Sequence, residues 1–204
     1  MAETGIPRIE AFSDGVIAVI ITIMVLDLKV PSGESLAALW PLWPTFLAYV
    51  LSYGYVAIYW VNHHRLFSHA RIVTNGLLWA NMSLLFTLSL VPFATAYLGN
   101  HRFGRDATLL YLVAMLLPAV SYSALQAVIR RRGVQSPAAQ GYHTATTRKG
   151  FAATLIYALG LPLSFASPWL GIGCAALVAI LWCLPSSRLD RMFLRDDEGG
   201  QEQG

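Results

Sequence analysis

Residues 8–31 read RIEAFSDGVIAVIITIMVLDLKVP, in which a polar motif runs directly into an apolar stretch. After Asp14 the next charged residue is Asp27, and Phe12 and Ser13 lead into the stretch. A helix needs about 20 mainly apolar residues to cross the hydrocarbon core of a bilayer. The stretch approaches that length, so it predicts a first membrane-spanning helix.

The composition favours a membrane protein, because 56% of the 204 residues are hydrophobic and only 12% are charged. The mean hydropathy is +0.54. Comparable apolar runs recur at about residues 38–62, 76–98, 107–129, 150–167 and 169–185. This pattern predicts an all-α integral membrane protein with six transmembrane helices per subunit.

The last two apolar runs are separated only by Ser167 and Pro168, and Pro162 interrupts the first of them. They therefore form either a tight helical hairpin or one broken element. Two full crossings are favoured, because they return the basic tail to the side that holds the other basic segments.

The placement of Lys and Arg predicts the orientation, because positive residues near helix ends are retained in the cytoplasm. With six spans, one side holds Arg8, Arg65, Arg71, Arg130, Arg131, Arg132, Arg148, Lys149, Arg188, Arg191 and Arg195. The other side holds Lys29, Arg102 and Arg105. We therefore expect a multi-pass protein of the cell membrane with both termini in the cytoplasm. No signal-peptide pattern is evident, so the first helix is expected in the mature protein.

Two segments lie outside the predicted spans. Residues 130–149 read RRRGVQSPAAQGYHTATTRK and predict a cytoplasmic loop, with turn formers at Gly133, Ser136, Pro137 and Gly141. Residues 196–204 are acidic and rich in Gly and Gln, which is typical of a disordered tail. The remaining residues, 1–195, are predicted to form a single six-helix domain.

Several other functions are disfavoured. The net charge of +3 comes from cations at helix ends, so nucleic acid is not an expected partner. Cys174 and Cys183 lie too far apart on one predicted helix to bridge and are expected to be packing residues. HHRLFSH at residues 63–69 resembles one histidine box of membrane di-iron desaturases, but those enzymes need several boxes. The chain has five His in all, and no Walker loop or HExxH motif. We therefore expect no enzyme, metal or cofactor.

One face of the first helix carries branched apolar side chains. At about 100° per residue, Val19, Ile23, Leu26 and Val30 fall within an arc of roughly 60°, and Thr22 lies about 60° to one side. Periodicity alone favours contact of this stripe with lipid or with another helix.

Asp14 is costly inside a membrane unless it is paired or lines a polar cavity. Its candidate partners are Arg8 and the end of the second span, YWVNHHRLFSH at residues 59–69. Antiparallel helices bring that end close, which permits a hydrogen-bonded cluster of Asp14, Ser13, Trp60 and His64. We interpret this cluster as a structural clasp in preference to a proton relay or a catalytic site.

These residues also carry a family resemblance. Arg8 followed by Phe12, Ser13 and Asp14 matches the RxxxFSD signature of the transmembrane protein 175 family of potassium channels, and the sequence resembles prokaryotic members. Trp60 and His64 match the WxxxH pattern of the family's second helix. The resemblance covers the whole chain in length and six-span layout, whereas the specific motifs lie in the first two helices.

The resemblance implies a homotetramer that is surrounded by membrane lipid. Four copies of the first helix line a central pathway for potassium ions. By position, Val19, Ile23 and Leu26 resemble the family's hydrophobic constriction, and Thr22 resembles its polar layer implicated in selectivity. Many relatives carry Ile or Leu at the position of Val19, which leaves open which ring is narrowest.

A ring of branched apolar side chains can close a narrow pore by dewetting, because it offers a cation no replacement for its hydration shell. The sequence has no TVGYG-type carbonyl filter, so a modest preference for potassium over sodium is expected. Asp27 either concentrates cations at the outer mouth or pairs with Lys29 or Arg102.

The alternative function is a secondary transporter of a small solute or ion, which would bind its substrate at the midplane between broken helices. Pro92, Pro118 and Pro162 are candidate breaks. No pair of unwound Gly-rich segments and no inverted repeat is readable, so the channel is favoured.

Overall fold

The computed structural model describes residues 5–132 and 137–183. Within these ranges the chain contains no β-strand, which confirms the all-α prediction for this part. The elements are α1 (Gly5–Val25), a 3-10 helix (Leu36–Leu42), α2 (Trp43–Phe67), α3 (Asn75–Ser89), α4 (Val91–Asn100), α5 (Arg105–Arg132), α6 (Pro137–Ala166) and α7 (Pro168–Cys183).

Among the described residues, four segments are long and apolar enough to cross a membrane. They are Leu36–Phe67, Asn75–Asn100, Arg105–Arg131 and His143–Ala166. Helix α7 is apolar but has only 16 residues. Helix α1 has 21 residues, and its first half carries Arg8, Glu10 and Asp14. Length and composition thus indicate a protein that crosses the membrane several times.

Helix α1 ends earlier than its apolar sequence predicts. Its last residue is Val25, and Leu26 follows in a turn. The backbone amide of Leu26 donates to the Ile23 carbonyl at 3.0 Å. Val30 lies beyond the helix, so the predicted helical stripe is wrong at that position. Leu26 continues the stripe for one residue, because its i to i−3 hydrogen bond keeps a 3-10-like geometry.

Only one of the three candidate proline breaks coincides with a helix boundary. Leu90 separates α3 from α4, and Pro92 occupies the first turn of α4, where a missing N–H costs little. Helices α5 and α6 continue through Pro118 and Pro162. Pairs of broken helices, which a transporter site would require, are therefore absent from the described part of the chain.

The last two helices form the hairpin that the sequence left as one of two alternatives. Ser167 alone separates α6 from α7. A Cβ atom on Gly160 would lie 3.1 Å from Cys174 Cβ, and one on Gly171 would overlap Ser164 Oγ. The earlier residue of α6 in these two pairs meets the later residue of α7. Helices α6 and α7 are therefore antiparallel, and the short distances show that they are closely packed.

The predicted loop at residues 130–149 is wrong, because α5 extends to Arg132 and α6 already begins at Pro137. Proline suits the first position of a helix, where its fixed φ is favourable and no N–H is needed. The Gln126 side-chain amide donates to the His143 carbonyl at 3.0 Å and lies 2.6 Å from Thr146 Oγ1, which ties the start of α6 to α5. Residues 133–136 and the predicted tail at 196–204 lie outside the described residues.

Helix α5 occupies the centre of the bundle and packs on α3, α4, α6 and α7, whereas α1 packs at the edge on α2, α3 and α4. We call the end at which α1 begins and α2 ends the inner end, and the opposite end the outer end. Near the outer end, α4 approaches α2 so closely that a Cβ atom on Gly99 would lie 2.8 Å from Thr45 Cα.

Candidate pore face on the first helix

The buried face of α1 consists of Ser13, Ile17, Ile20 and Met24. Their spacing of three or four residues places them in one stripe, which packs into the subunit's own bundle. The three apolar side chains are at most 4% exposed, and Ser13 is fully buried. This face fixes the rotation of α1 about its own axis.

The opposite face of α1 carries the residues that resemble the family's constriction. Val19 is 54% exposed, Ile23 46% and Leu26 76%, and Thr22 is also exposed. Large apolar side chains with this exposure on a single subunit are available to lipid, to a second copy or to an enclosed pathway. The structure thus turns the stripe away from the subunit core.

The Thr22 hydroxyl has a defined orientation on this face. Its Oγ1 lies 3.0 Å from the Val19 carbonyl and 3.1 Å from the Ala18 carbonyl. Because a hydroxyl has one proton and two lone pairs, donation to the helix backbone leaves the oxygen able to accept or to coordinate.

Two contacts join α1 to α2 at the inner end. Trp60 Nε1 donates to Asp14 Oδ1 at 2.9 Å, and His64 Nδ1 lies 2.6 Å from Glu10 Oε1. The structure therefore brings Asp14 to Trp60 but pairs His64 with Glu10. Arg8, the other candidate partner of Asp14, is exposed and has no ion pair among the described residues.

Ser13 belongs to a different, buried chain of hydrogen bonds. The Asn81 side-chain amide on α3 donates to Ser13 Oγ at 2.9 Å, and Ser13 donates to the Ile9 carbonyl at 2.8 Å. His63 Nε2 lies 2.8 Å from Asn81 Oδ1 and is the donor there, because a carbonyl oxygen only accepts. Asn81 thereby links α1, α3 and α2.

Sequence reasoning missed Glu10, His63 and Asn81. Trp60, His63 and His64 are spaced as neighbours on one face of a helix, so periodicity was a usable signal for His63. Glu10 stands one turn before Asp14 and offered the same kind of signal. Asn81 offered only its polarity within an apolar run.

The outer end of α1 leaves Asp27 without the pairings considered from the sequence. The backbone amide of Lys29 donates to the Asp27 carbonyl at 3.0 Å, but no ion pair joins Asp27 to Lys29 or Arg102 among the described residues.

The histidines do not form a metal-type cluster in the described ranges, where no three His, Cys, Asp or Glu side chains converge. The rings of His69 and His143 meet edge to face with centroids 5.4 Å apart. His143 lies in α6 and not in a loop, which corrects its predicted placement.

The long apolar helices and their internal hydrogen bonding define a multi-pass α-helical membrane protein. The family model of the endosomal/lysosomal potassium channel TMEM175 matches residues 8–92. A potassium channel of Chryseobacterium sp. (strain P1-3) is 44% identical over 185 residues, which cover 90% of this chain and 95% of that protein. The chain belongs to the TMEM175 family, whose members are ion channels and not enzymes.

A solved structure and a human relative are also similar. The crystal structure of a lysosomal potassium-selective channel TMEM175 homolog from Chamaesiphon minutus superimposes with a TM-score of 0.79. It is 32% identical, and the match covers 90% of this chain and 98% of that one. The human endosomal/lysosomal proton channel TMEM175 is 43% identical over 95 residues, covering 41% of this chain and 18% of that protein.

Proposed function

We propose that the chain is a potassium-conducting channel of the cell membrane, with modest preference for potassium over sodium. The observation that carries the proposal is the exposed stripe of Val19, Ile23 and Leu26, which lies opposite the face that fastens α1 into its own bundle. Bacterial relatives that are named potassium channels support potassium as the ion.

In the proposed assembly, four subunits surround a central axis and each contributes its α1. Four copies of the stripe then enclose the pathway, and their apolar side chains form the constriction. A cation in such a narrow apolar passage loses hydration water without receiving replacement oxygens, so the passage excludes it until the ring widens. This arrangement gives the exposed apolar residues of α1 a partner surface that a single subunit lacks.

Thr22 forms the polar layer of the proposed pathway. Its hydroxyl proton is directed to helix carbonyls, so the four hydroxyl oxygens of the ring keep their lone pairs available to a partly hydrated cation. Potassium has the lower dehydration cost of the two ions, so a ring of hydroxyl oxygens favours it moderately. Asp27 lies at the outer mouth, where its charge raises the local cation concentration.

The proposed topology has six spans and places both termini in the cytoplasm. It treats α3 and α4 as one span and counts α1, α2, α5, α6 and α7 as the others. The inner end then carries the arginines of the α2–α3 connection and of the end of α5, as the positive-inside rule requires.

The test is the reversal potential of the purified full chain in planar bilayers, first in a potassium gradient and then in mixed potassium and sodium. Wild type and Ile23→Asn are compared with Leu159→Asn, whose side chain on α6 is similarly exposed at 51%. We expect reversal near the potassium potential and larger currents only in Ile23→Asn. A parallel pH gradient separates potassium from proton current.

A secondary transporter is the competing function. It predicts no passive current in any of these variants, together with uptake that depends on a second solute gradient. Absence of current from folded protein in both wild type and Ile23→Asn would therefore reject the channel.

A further inference from the structure

The exposed face of α1 continues past the apolar stripe towards the inner end. At about 100° per residue, Arg8 and Phe12 fall within the same arc of roughly 60° that holds the stripe. Both side chains are exposed on the single subunit. Because a helix rises about 1.5 Å per residue, Arg8 lies about 16 Å nearer the inner end than Val19. An α1 that turns its stripe to a central pathway therefore presents Arg8 to the same pathway.

The inner part of α1 is held on both sides of Arg8. Three residues before it, a Cβ atom on Gly5 would lie only 2.6 Å from Val73 Cγ2, so the start of the helix packs closely on the connection between α2 and α3. Five residues after it, the Asn81 side-chain amide donates to Ser13 Oγ at 2.9 Å. The rotation of α1 that these contacts fix also fixes the direction of Arg8.

The acidic residues of the same helix point elsewhere. Glu10 lies about 160° from Arg8 around the helix axis, and Asp14 lies about 120° from it. His64 is bonded to the first carboxylate and Trp60 to the second. Within residues 5–132 and 137–183, no carboxylate forms an ion pair with Arg8. The exposed face of α1 thus carries an uncompensated positive charge at its inner end.

We propose that four copies of Arg8 form a ring of positive charge at the cytoplasmic mouth of the pathway, and that this ring makes inward potassium current larger than outward current. The inference rests on the proposed function and its topology. Rings of charged side chains select the ions that enter a pore. A positive ring lowers the potassium concentration at the mouth from which outward current is drawn. Potassium that enters from the outer end meets the ring only after it has passed the constriction.

The size of the effect follows from screening. At about 0.15 M salt the Debye length is about 8 Å, and four unit charges at about that distance from the axis lower the local cation concentration about fourfold. At about 1 M salt the Debye length is about 3 Å, so the same charges are almost fully screened. The asymmetry between inward and outward current should therefore disappear as the salt concentration rises. A side chain that only supports the fold would not produce this dependence.

The experiment records potassium currents in inside-out patches from cells that express the full chain, in symmetric KCl of about 0.15 M and then about 1 M. We expect wild type to pass about fourfold less outward than inward current at the lower concentration and nearly equal currents at the higher one. Arg8→Gln should raise the outward current about fourfold at the lower concentration, whereas Arg8→Lys keeps the charge and should keep the asymmetry. Arg65→Gln is the matched control, because it removes an exposed cation of α2 at the same end and should leave the asymmetry unchanged.

The salt dependence of wild type needs no substitution, so the test holds even if Arg8→Gln does not fold. Symmetric wild-type currents at the lower concentration, or an asymmetry that persists at the higher one, would overturn the role of Arg8 and leave the proposed channel intact. Equal effects of Arg8→Gln and Arg65→Gln would also overturn it, because the mouth would then respond to surface charge in general. Failure of Arg8→Lys to assemble would assign the guanidinium to a contact between copies instead. Absence of current from both folded wild type and Ile23→Asn would reject the channel itself.

Discussion

Trp60 Nε1 on α2 donates a hydrogen bond of 2.9 Å to the Asp14 carboxylate on α1. One helical turn nearer the inner end, His64 meets Glu10 in the same way. The two contacts hold the inner half of α1 against α2, and the buried stripe of Ser13, Ile17, Ile20 and Met24 fixes its rotation. Val19 and Ile23 then face away from the bundle, because the other side of the helix packs against it.

Replacing Trp60 with Phe should destabilise the subunit, because the Asp14 carboxylate loses its donor on α2. Since Trp60 is 46% exposed, we expect the free energy of unfolding to fall by about 1.5 kcal/mol. This is the lower end of the contribution that a hydrogen bond to a charged group makes to stability. Thermal unfolding in detergent measures it. Trp79→Phe is the control, because Trp79 is 77% exposed and its side chain has no hydrogen bond to any residue that the structure describes. Equal midpoints for the two variants would show that the Trp60 contact does not hold α1.

Asn81→Leu should be more damaging, because it leaves His63 Nε2 without its buried acceptor and removes the donor to Ser13 Oγ, which keeps only its bond to the Ile9 carbonyl. Each unsatisfied buried polar group costs about 1 to 3 kcal/mol. Ser13→Ala removes only one of the two links and should cost less. A double-mutant cycle of these substitutions should show coupling of at least about 0.5 kcal/mol. Additive losses in the cycle would mean that the bond between Asn81 and Ser13 does not contribute to stability.

Thr22→Val should abolish the preference for potassium over sodium without impairing folding. Within the described ranges the hydroxyl bonds only to its own helix, so its loss leaves no described group of another helix unpaired. Thr22→Ser keeps the oxygen and should keep the preference. Biionic reversal potentials compare the three proteins, and an unaltered ratio in Thr22→Val would place the selective layer elsewhere.

Truncation of the stripe should raise basal current most at Ile23. Ile23 is larger than Val19 and lies within the helix, whereas Leu26 lies in the turn after Val25 and is less constrained. Potassium flux from liposomes should therefore increase in the order Leu26→Ala, Val19→Ala, Ile23→Ala. Leu155→Ala on α6, at 49% exposure, controls for loss of an exposed side chain. Largest flux from Val19→Ala would identify that ring as the narrowest.

Gly99→Ala should destabilise the outer end of the bundle. The added Cβ would lie 2.8 Å from Thr45 Cα, and a backbone atom cannot move aside without shifting its helix. We expect the free energy of unfolding to fall by about 1 to 3 kcal/mol, which is the usual cost of overpacking. Gly54→Ala on α2 has no atom within 4 Å of its new Cβ and should be neutral or stabilising. A Gly99→Ala protein that melts no earlier than Gly54→Ala would show that α2 and α4 have room to separate.

Part of the site could be predicted because its signals are local. The RxxxFSD and WxxxH patterns identified Asp14 and Trp60, and antiparallel packing of consecutive helices was enough to expect them near each other. The pairing of His64 with Glu10 was missed, because a shift of one turn between helices changes the partner without altering either helix's pattern. The helix at residues 137–149 was missed because Gly and Pro were interpreted as turn formers, whereas packing against Gln126 stabilises the helix there.

The sequence by itself determined the class of the protein and the periodicity of α1. Apolar length fixes how many segments prefer lipid to water, and 3.6-residue periodicity fixes which side chains share a face. Only the tertiary structure decided which face of α1 is buried and where the helix ends. That choice depends on shape and hydrogen-bond complementarity with Asn81, Trp60 and His64 on two other helices, and such complementarity is a property of their relative positions, which no single segment contains.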